Sequence, residues 1–182
     1  MRRLLTASLL LALTLPANAE HHDDPVEYPD GPRGEAVEMI DGYEKKLVQL
    51  LDAIPAATMN WRPGEGVRSF TEVFAHVADA NFGIPALLGV DPPNDWSRDN
   101  PVEGRVTAQA ELELIVPASF HHVREAILAM DDATLDDEVT WFGNSKVTRR
   151  AALFSMVKHI AEHEGQLVAY TRVNGLVPPW SE

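Results

Sequence analysis

The feature that most constrains the fold is a set of four amphipathic stretches separated by helix-breaking residues. Apolar residues recur at steps of three and four within residues 34–54, 69–89, 107–130 and 148–174, which is the spacing of one buried helix face. Prolines and glycines interrupt the pattern between these stretches, and residues 140–142 form at most a short extended piece. Four helices of this length, joined by long connections, predict an all-α four-helix bundle.

Local signals mark the ends of these helices. Residues 69–72 (SFTE) form a capping box, in which the Ser69 hydroxyl and the Glu72 carboxylate each accept a hydrogen bond from a backbone N–H of the first turn. Thr107 is the predicted cap of the third helix. Gly175, followed by two prolines, is the expected stop of the fourth helix.

The N-terminal segment has the pattern of a cleavable export signal. Two arginines precede a short uncharged apolar run, and residues 17–19 (ANA) form a small-x-small cleavage site. We expect residues 1–19 to be a signal peptide cleaved after Ala19, residues 20–33 a flexible acidic tail, and residues 34–182 one bundle domain. The apolar run is too short to span a membrane. The arginine pair also fits twin-arginine export, although the rest of that pattern is missing. This organisation predicts a periplasmic or secreted protein.

Charge and composition exclude several classes of function. The chain has 15 basic and 28 acidic side chains and a formal net charge of −13, so nucleic acids and anionic membrane surfaces would be repelled. It has no cysteine, which excludes disulfides, thiolate-held metals and a thiol nucleophile of its own. We therefore expect no nucleic-acid partner. We also expect no membrane span, because no other segment is a transmembrane candidate.

Seven histidines carry the main chemical signal. His159 and His163 are four residues apart in the fourth helix, about 40° apart around its axis and ~6 Å along it, so both imidazoles can reach one cation. His76 lies among apolar residues of the second helix, on or beside its buried face. Three histidines from two facing helices suit a divalent ion, but the spacing does not select among Zn²⁺, Ni²⁺, Fe²⁺ and Cu²⁺. The alternative is one core and one surface histidine in the fourth helix, with no metal.

Residues 159–163 (HIAEH) also match the inverted zinc-protease motif H-x-x-E-H. That interpretation needs a third ligand well downstream and a larger mixed α/β domain, whereas the chain ends shortly after His163. We therefore interpret Glu162 as an outward-facing charge.

Two parts of the chain resemble the DinB/YfiT-like family. Residues 59–63 (MNWRP) and 69–80 (SFTEVFAHVADA) are similar to its first half, and residues 159–179 (HIAEHEGQLVAYTRVNGLVPP) resemble its last helix closely. The resemblance covers roughly residues 35–180. It implies a four-helix bundle with up-down-down-up connectivity and one divalent metal ion, commonly zinc or nickel, held by three histidines. These histidines correspond here to His76, His159 and His163.

The same resemblance implies a chemistry. Family members with a known activity include thiol-dependent S-transferases and isomerases that use low-molecular-weight thiols. The chain departs from the better-characterised members in its export signal, because those members are cytosolic, where such thiols are abundant. The resemblance therefore implies a small-molecule substrate, and low-molecular-weight thiols are among the candidates.

Four further residues are predicted to line the pocket or to orient the ligands. Gln166 and Tyr170 continue the histidine stripe of the fourth helix at steps of three and four, and Asp79 follows the second-helix histidine by three residues. The alternatives for Gln166 and Tyr170 are a solvated amide and a core aromatic residue. His121 and His122 are adjacent and cannot both face the core, so His122 is the candidate for contact with the site.

The tail contributes a separate metal hypothesis. Cleavage after Ala19 would make His22 the third residue of the mature chain, beside His21, and a free amine, two amides and a third-position imidazole can together chelate Cu²⁺ or Ni²⁺. The alternative is a polar tail without metal.

Three neutral imidazoles leave the charge of a bound ion uncompensated and at least one position open, where a water or a thiol loses several pKa units. The sequence therefore favours an exported metal-dependent hydrolase or thiol transferase acting on a small molecule, with no general base identified. The alternative is a non-catalytic metal-binding or interaction protein that uses the bundle as a scaffold, and a fourth protein ligand would favour it. The sequence leaves a homodimer open.

Overall fold

The computed structural model describes residues 28–181. Its elements are four α-helices and one hairpin: α1 Pro32–Ala53, α2 Phe70–Ala86, α3 Gln109–Leu128, β1 Glu138–Thr140, β2 Lys146–Thr148 and α4 Arg149–Val173. Short 3₁₀ turns lie at Ala56–Thr58, Asp132–Thr134, Phe142–Asn144 and Pro179–Ser181. The predicted all-α four-helix bundle is confirmed. The signal peptide and the tail histidines, His21 and His22, lie outside the described residues, so both remain predictions.

Contacts at the helix ends show that α1 and α3 are antiparallel. Arg33, at the start of α1, donates to the Leu128 carbonyl at the end of α3. Gln109, at the start of α3, donates to the carbonyls of Leu51 and Ile54 at the end of α1. α1 and α3 are therefore antiparallel neighbours, although α2 lies between them in the sequence.

The directions of α2 and α4 follow in the same way. The Asn81 amide on α2 donates to Ser119 midway along α3, and the turn after α2 lies beside the end of α3, so α2 and α3 are parallel. Arg149, at the start of α4, donates to the Leu88 carbonyl just after α2, so α2 and α4 are antiparallel. Around the bundle the helices follow the order α1, α3, α2, α4. The up-down-down-up connectivity is confirmed.

The core lies along the bundle axis and is built from the predicted apolar faces. Phe70, Phe74 and Phe120 are fully buried, together with Ile40, Leu47, Leu50, Leu112, Ile127 and Leu153. Each such side chain stabilises the fold by about 1.5–3 kcal/mol relative to an exposed position. None of the described helices is both long and apolar enough to cross a membrane.

The helix caps match the sequence signals with one exception. The capping box is confirmed: the Glu72 N–H donates to the Ser69 hydroxyl at 3.3 Å, and the Ser69 N–H donates to the Glu72 carboxylate at 2.7 Å. Gly175 has φ of +74°, the left-handed conformation that ends a helix. The prediction that Thr107 caps α3 is wrong, because the backbone stays extended through Ala108 and no side chain caps this helix.

Two boundaries differ from the sequence-based expectation. α1 begins at Pro32, two residues earlier than predicted, because proline favours the first turn of a helix. The hairpin pairs Glu138 with Thr148 and Thr140 with Lys146. The short extended piece predicted at 140–142 ends at Thr140, since the chain then turns through a 3₁₀ segment with left-handed residues.

Candidate metal centre

Three imidazoles from two helices meet in the bundle. The ligand atoms of His76, His159 and His163 all lie within 4.8 Å of one another. The Nε2 atoms of His76 and His159 are 3.2 Å apart. Two nitrogens bound tetrahedrally to zinc at ~2.0–2.1 Å would lie ~3.3 Å apart, so this spacing suits a shared ion. The three residues could therefore hold one metal ion.

The bundle itself produces this convergence. α2 and α4 are antiparallel neighbours, so His76, a third of the way along α2, faces the middle of α4. His159 and His163 lie one turn apart on α4, with ring centroids 4.6 Å from each other. The structure therefore brings together the three side chains that the sequence assigns to one site.

The environment favours neutral imidazoles. Burial lowers the pKa of His159 to about 4, with further lowering by His163 and His76. Burial also lowers the pKa of His76, as do Arg68 and His163, while the Glu103 carboxylate opposes this shift. Because neutral imidazole is the form that binds a metal ion, His76 and His159 are ready to act as ligands at neutral pH.

Two of the three imidazoles have a partner on their other nitrogen. Gln166 Oε1 lies 2.8 Å from Nδ1 of His163, and Glu103 Oε2 lies 3.3 Å from Nδ1 of His76. Such contacts place the proton on Nδ1 and leave Nε2 free as a ligand. Nδ1 of His159 is buried without a hydrogen-bond partner among the described residues. Gln166 therefore lies where the sequence predicted it, against a candidate ligand.

Asp79 lines a cavity beside His76 and His159 but forms no hydrogen bond with an imidazole among the described residues. Its carboxylate accepts from the Trp96 indole at 2.7 Å and from the backbone N–H groups of Val102 and Glu103 at 2.7 and 2.8 Å. These bonds fix the connection between α2 and α3 and hold Glu103 beside His76. Asp79 therefore supports the site through Glu103.

Tyr170 is mainly a core residue. Its ring packs edge-on against Trp61 and Phe70, with centroids 5.4 and 5.5 Å away. Only its hydroxyl approaches the site, as the acceptor of a 2.7 Å hydrogen bond from Gln166. Trp61, from the MNWRP segment, therefore packs at the edge of the core beside α4.

His122 lies apart from the three histidines. Its ring packs on Phe82 with a centroid distance of 5.7 Å, and its Nε2 is buried without a partner among the described residues. Burial lowers its pKa. His121, its neighbour, is exposed, as the adjacency of the two residues predicts. His122 makes no contact with a candidate ligand in the described chain.

Two other acidic residues near the motif are accounted for by local contacts. Glu72 completes the α2 cap and also accepts from Arg62 at 3.0 Å. Glu162 is exposed and pairs with Lys158 at 2.9 Å, one turn earlier on α4. The interpretation of Glu162 as an outward charge agrees with this position, and the inverted-protease role for it finds no support.

Residues from the connections between the helices also lie beside the imidazoles, and the sequence analysis did not predict them. A cavity of about 340 Å³ beside His76 and His159 is also lined by Trp96, Arg98 and Phe142. A second cavity, of about 510 Å³, is polar and includes Arg68 and Glu103, which pair at 2.7 Å, together with Arg62, Glu72 and Gln166. These connections have no periodicity, so only their aromatic and charged residues offered a signal.

Comparison with known proteins identifies the family. The sequence model described as the DinB superfamily matches residues 39–167, most of the bundle. The chain belongs to the DinB superfamily. A DinB-like protein from Bacillus cereus has a TM-score of 0.67 at 16% identity, covering 79% of this chain and 93% of that one. A conserved protein from Enterococcus faecalis has a TM-score of 0.62 at 21% identity, covering 76% and 94%.

A third similar structure has a named activity. It is a mycothiol-dependent maleylpyruvate isomerase, with a TM-score of 0.59 at 18% identity. The alignment covers 76% of this chain and 61% of the isomerase, so part of the isomerase has no counterpart in the aligned region. No functionally curated protein matches the chain by sequence. At these identities the structural neighbours establish the DinB fold.

Proposed function

We propose that this DinB protein is an exported metalloenzyme that holds one divalent ion, zinc or nickel, on His76, His159 and His163 and acts on a small molecule. The observation that carries the proposal is the convergence of three imidazoles within 4.8 Å of one another, beside a cavity of about 340 Å³. Export with cleavage after Ala19 is part of the proposal and rests on the N-terminal sequence.

The donor set suits a catalytic ion better than a structural one. The group of candidate ligands in the described residues has three members, and catalytic zinc sites keep a position open beyond three protein ligands. When bound, such an ion supplies Lewis acidity and lowers the pKa of a water or thiol. A fourth protein ligand would favour a purely structural or storage role, and among the described residues that group contains none.

The surrounding residues favour a thiol as the nucleophile. Asp79 is the carboxylate that lines the cavity, and three N–H groups already occupy it. A thiol, with a pKa of about 8.5, needs less help to ionise than water, so it suits a cavity without an available general base. The chain has no cysteine, so the thiol must come with a substrate. The fold shared with a mycothiol-dependent isomerase supports the same choice.

Metal content tests the proposal. The mature chain, beginning at Glu20, is incubated with Zn²⁺ or Ni²⁺, desalted and measured for bound metal. We expect about one ion per chain in the wild type and in His121→Ala, because His121 is exposed and lies on α3. His159→Ala should lose stoichiometric metal. A wild type that retains no metal, or a His159→Ala variant that retains all of it, would reject the metal site.

Activity is tested separately from metal content. Metal-loaded protein is assayed with a panel of low-molecular-weight thiols and an electrophile such as 1-chloro-2,4-dinitrobenzene, and with chromogenic esters for hydrolysis. We expect turnover with a thiol that disappears in His76→Ala and persists in His121→Ala. Equal rates in all three proteins would mean that the metal site does not catalyse the reaction.

A further inference from the structure

The cavity beside the imidazoles has a preformed apolar wall. The Trp96 indole is held by its hydrogen bond to Asp79 at 2.7 Å and lies directly over Gly83 of α2. A Cβ at position 83 would come within 2.8 Å of the indole, so glycine is what allows this close approach. Ile84 and Phe142 complete the apolar lining. The cavity can therefore bury an apolar group without rearrangement.

The cavity is lined by one acidic and one basic side chain, Asp79 and Arg98. Asp79 already accepts three hydrogen bonds from the protein, so fewer of its lone pairs are available to a ligand. Arg98 also lines the cavity, is exposed, and forms no ion pair with another described residue. The chain as a whole carries a net charge of −13, but charges beyond about 8 Å are screened at physiological salt, so the unpaired guanidinium in the lining can still attract an anion.

We propose that this cavity binds a small organic acid, with an apolar body about the size of one aromatic ring against Trp96 and a carboxylate paired with Arg98. The identity of the site as a reaction centre rests on the proposed function, since the imidazoles of His76 and His159 line the same cavity. With the carboxylate paired to Arg98, the reacting atom lies on the apolar body or its far end. A cavity of about 340 Å³ suits one such molecule.

Three probes of one shape test the charge selection. 3-Phenylpropionate, 3-phenylpropan-1-ol and 3-phenylpropylammonium are titrated into the mature protein, once metal-free and once after zinc loading, with binding followed by calorimetry and tryptophan fluorescence. We expect the acid to bind more tightly than the alcohol and the amine to bind most weakly, in both forms. Arg98→Gln should weaken the acid about tenfold and leave the alcohol unchanged.

Matched variants separate this pairing from general effects. Arg105→Gln removes a charge from the same connection at a residue that lines a different cavity, so it should not change binding. Ala80→Phe should fill the cavity and weaken both acid and alcohol. Thermal melts check that each variant is folded, and Arg98→Gln is the informative one because its side chain is exposed.

The outcomes distinguish this inference from the proposed function. Equal affinity for the three probes, no binding of any, or an equal loss in Arg98→Gln and Arg105→Gln would overturn the anion site. Charge-selective binding in a protein that takes up no zinc would uphold the anion site and reject the metal centre. Zinc uptake without charge selection would do the reverse.

Discussion

Replacing Gln166 with leucine should weaken metal binding without unfolding the bundle. Gln166 accepts from His163 Nδ1 at 2.8 Å and donates to the Tyr170 hydroxyl at 2.7 Å, so leucine of similar size removes both contacts. The His163 N–H is then left half-buried without an acceptor, which costs about 1–3 kcal/mol. This agrees with the tenfold to hundredfold loss of affinity, roughly 1.4–2.7 kcal/mol, that follows when the partner of a ligating histidine is removed.

The assay is competition for Zn²⁺ against a chromophoric chelator at pH 7.5. Gln166→Glu keeps an acceptor at His163 Nδ1 and should bind zinc at least as tightly as the wild type. Gln109→Leu is the matched control: it removes two hydrogen bonds to the end of α1, so it should lower stability and leave zinc affinity unchanged. Wild-type affinity in Gln166→Leu, or an equal loss in Gln109→Leu, would refute the reasoning.

Three further predictions concern stability and the connection over the site. Burial lowers the pKa of His159 to about 4 from an ordinary value near 6.5, so between these pH values the unfolded chain is protonated at His159 and the folded chain is not. The metal-free protein should therefore lose stability as the pH falls from 6.5 to 4, and the urea midpoint of His159→Phe should fall less over the same range. Asp79→Ala leaves three N–H donors unpaired and should lower the free energy of unfolding by roughly 2–3 kcal/mol. Proteolysis within residues 87–108 should be faster and zinc binding weaker, whereas unchanged proteolysis would show that Asp79 does not hold the connection. Gly83→Val should displace the Trp96 indole, seen as a shift in tryptophan emission, whereas an unchanged spectrum would contradict the close packing.

Helix periodicity predicted the parts of the fold that local sequence controls. The α2 cap at Ser69 and the α4 stop at Gly175 appear where their signals lie, because a cap depends on residues within one turn of it. The prediction that Thr107 caps α3 failed because a capping residue type is a local signal. Tertiary packing of the buried Val102 and Val106 positions this part of the chain, and α3 starts only after Ala108. The hairpin was missed because each of its strands is only three residues long.

In the candidate site, too, the sequence predicted the residues of one helix and missed those that tertiary contacts position. His159, His163 and Gln166 share one helix face, so their proximity follows from spacing alone. Glu103 reaches the site from 27 residues beyond His76, and its position depends on hydrogen bonds from the connection to Asp79, which no local pattern encodes. For Tyr170, pocket and core lie on the same helix face, so the sequence could not separate the two roles.

The most direct test of the central claim is X-ray absorption at the zinc edge of the zinc-loaded mature protein. The arrangement of His76, His159 and His163 predicts three imidazole nitrogens at about 2.0–2.1 Å, completed by one or two non-protein atoms. His121→Ala should give the same spectrum, and His76→Ala should lose one imidazole or the ion. A shell made only of oxygen atoms, or one unaffected by His76→Ala, would contradict the claim that these three residues hold one ion.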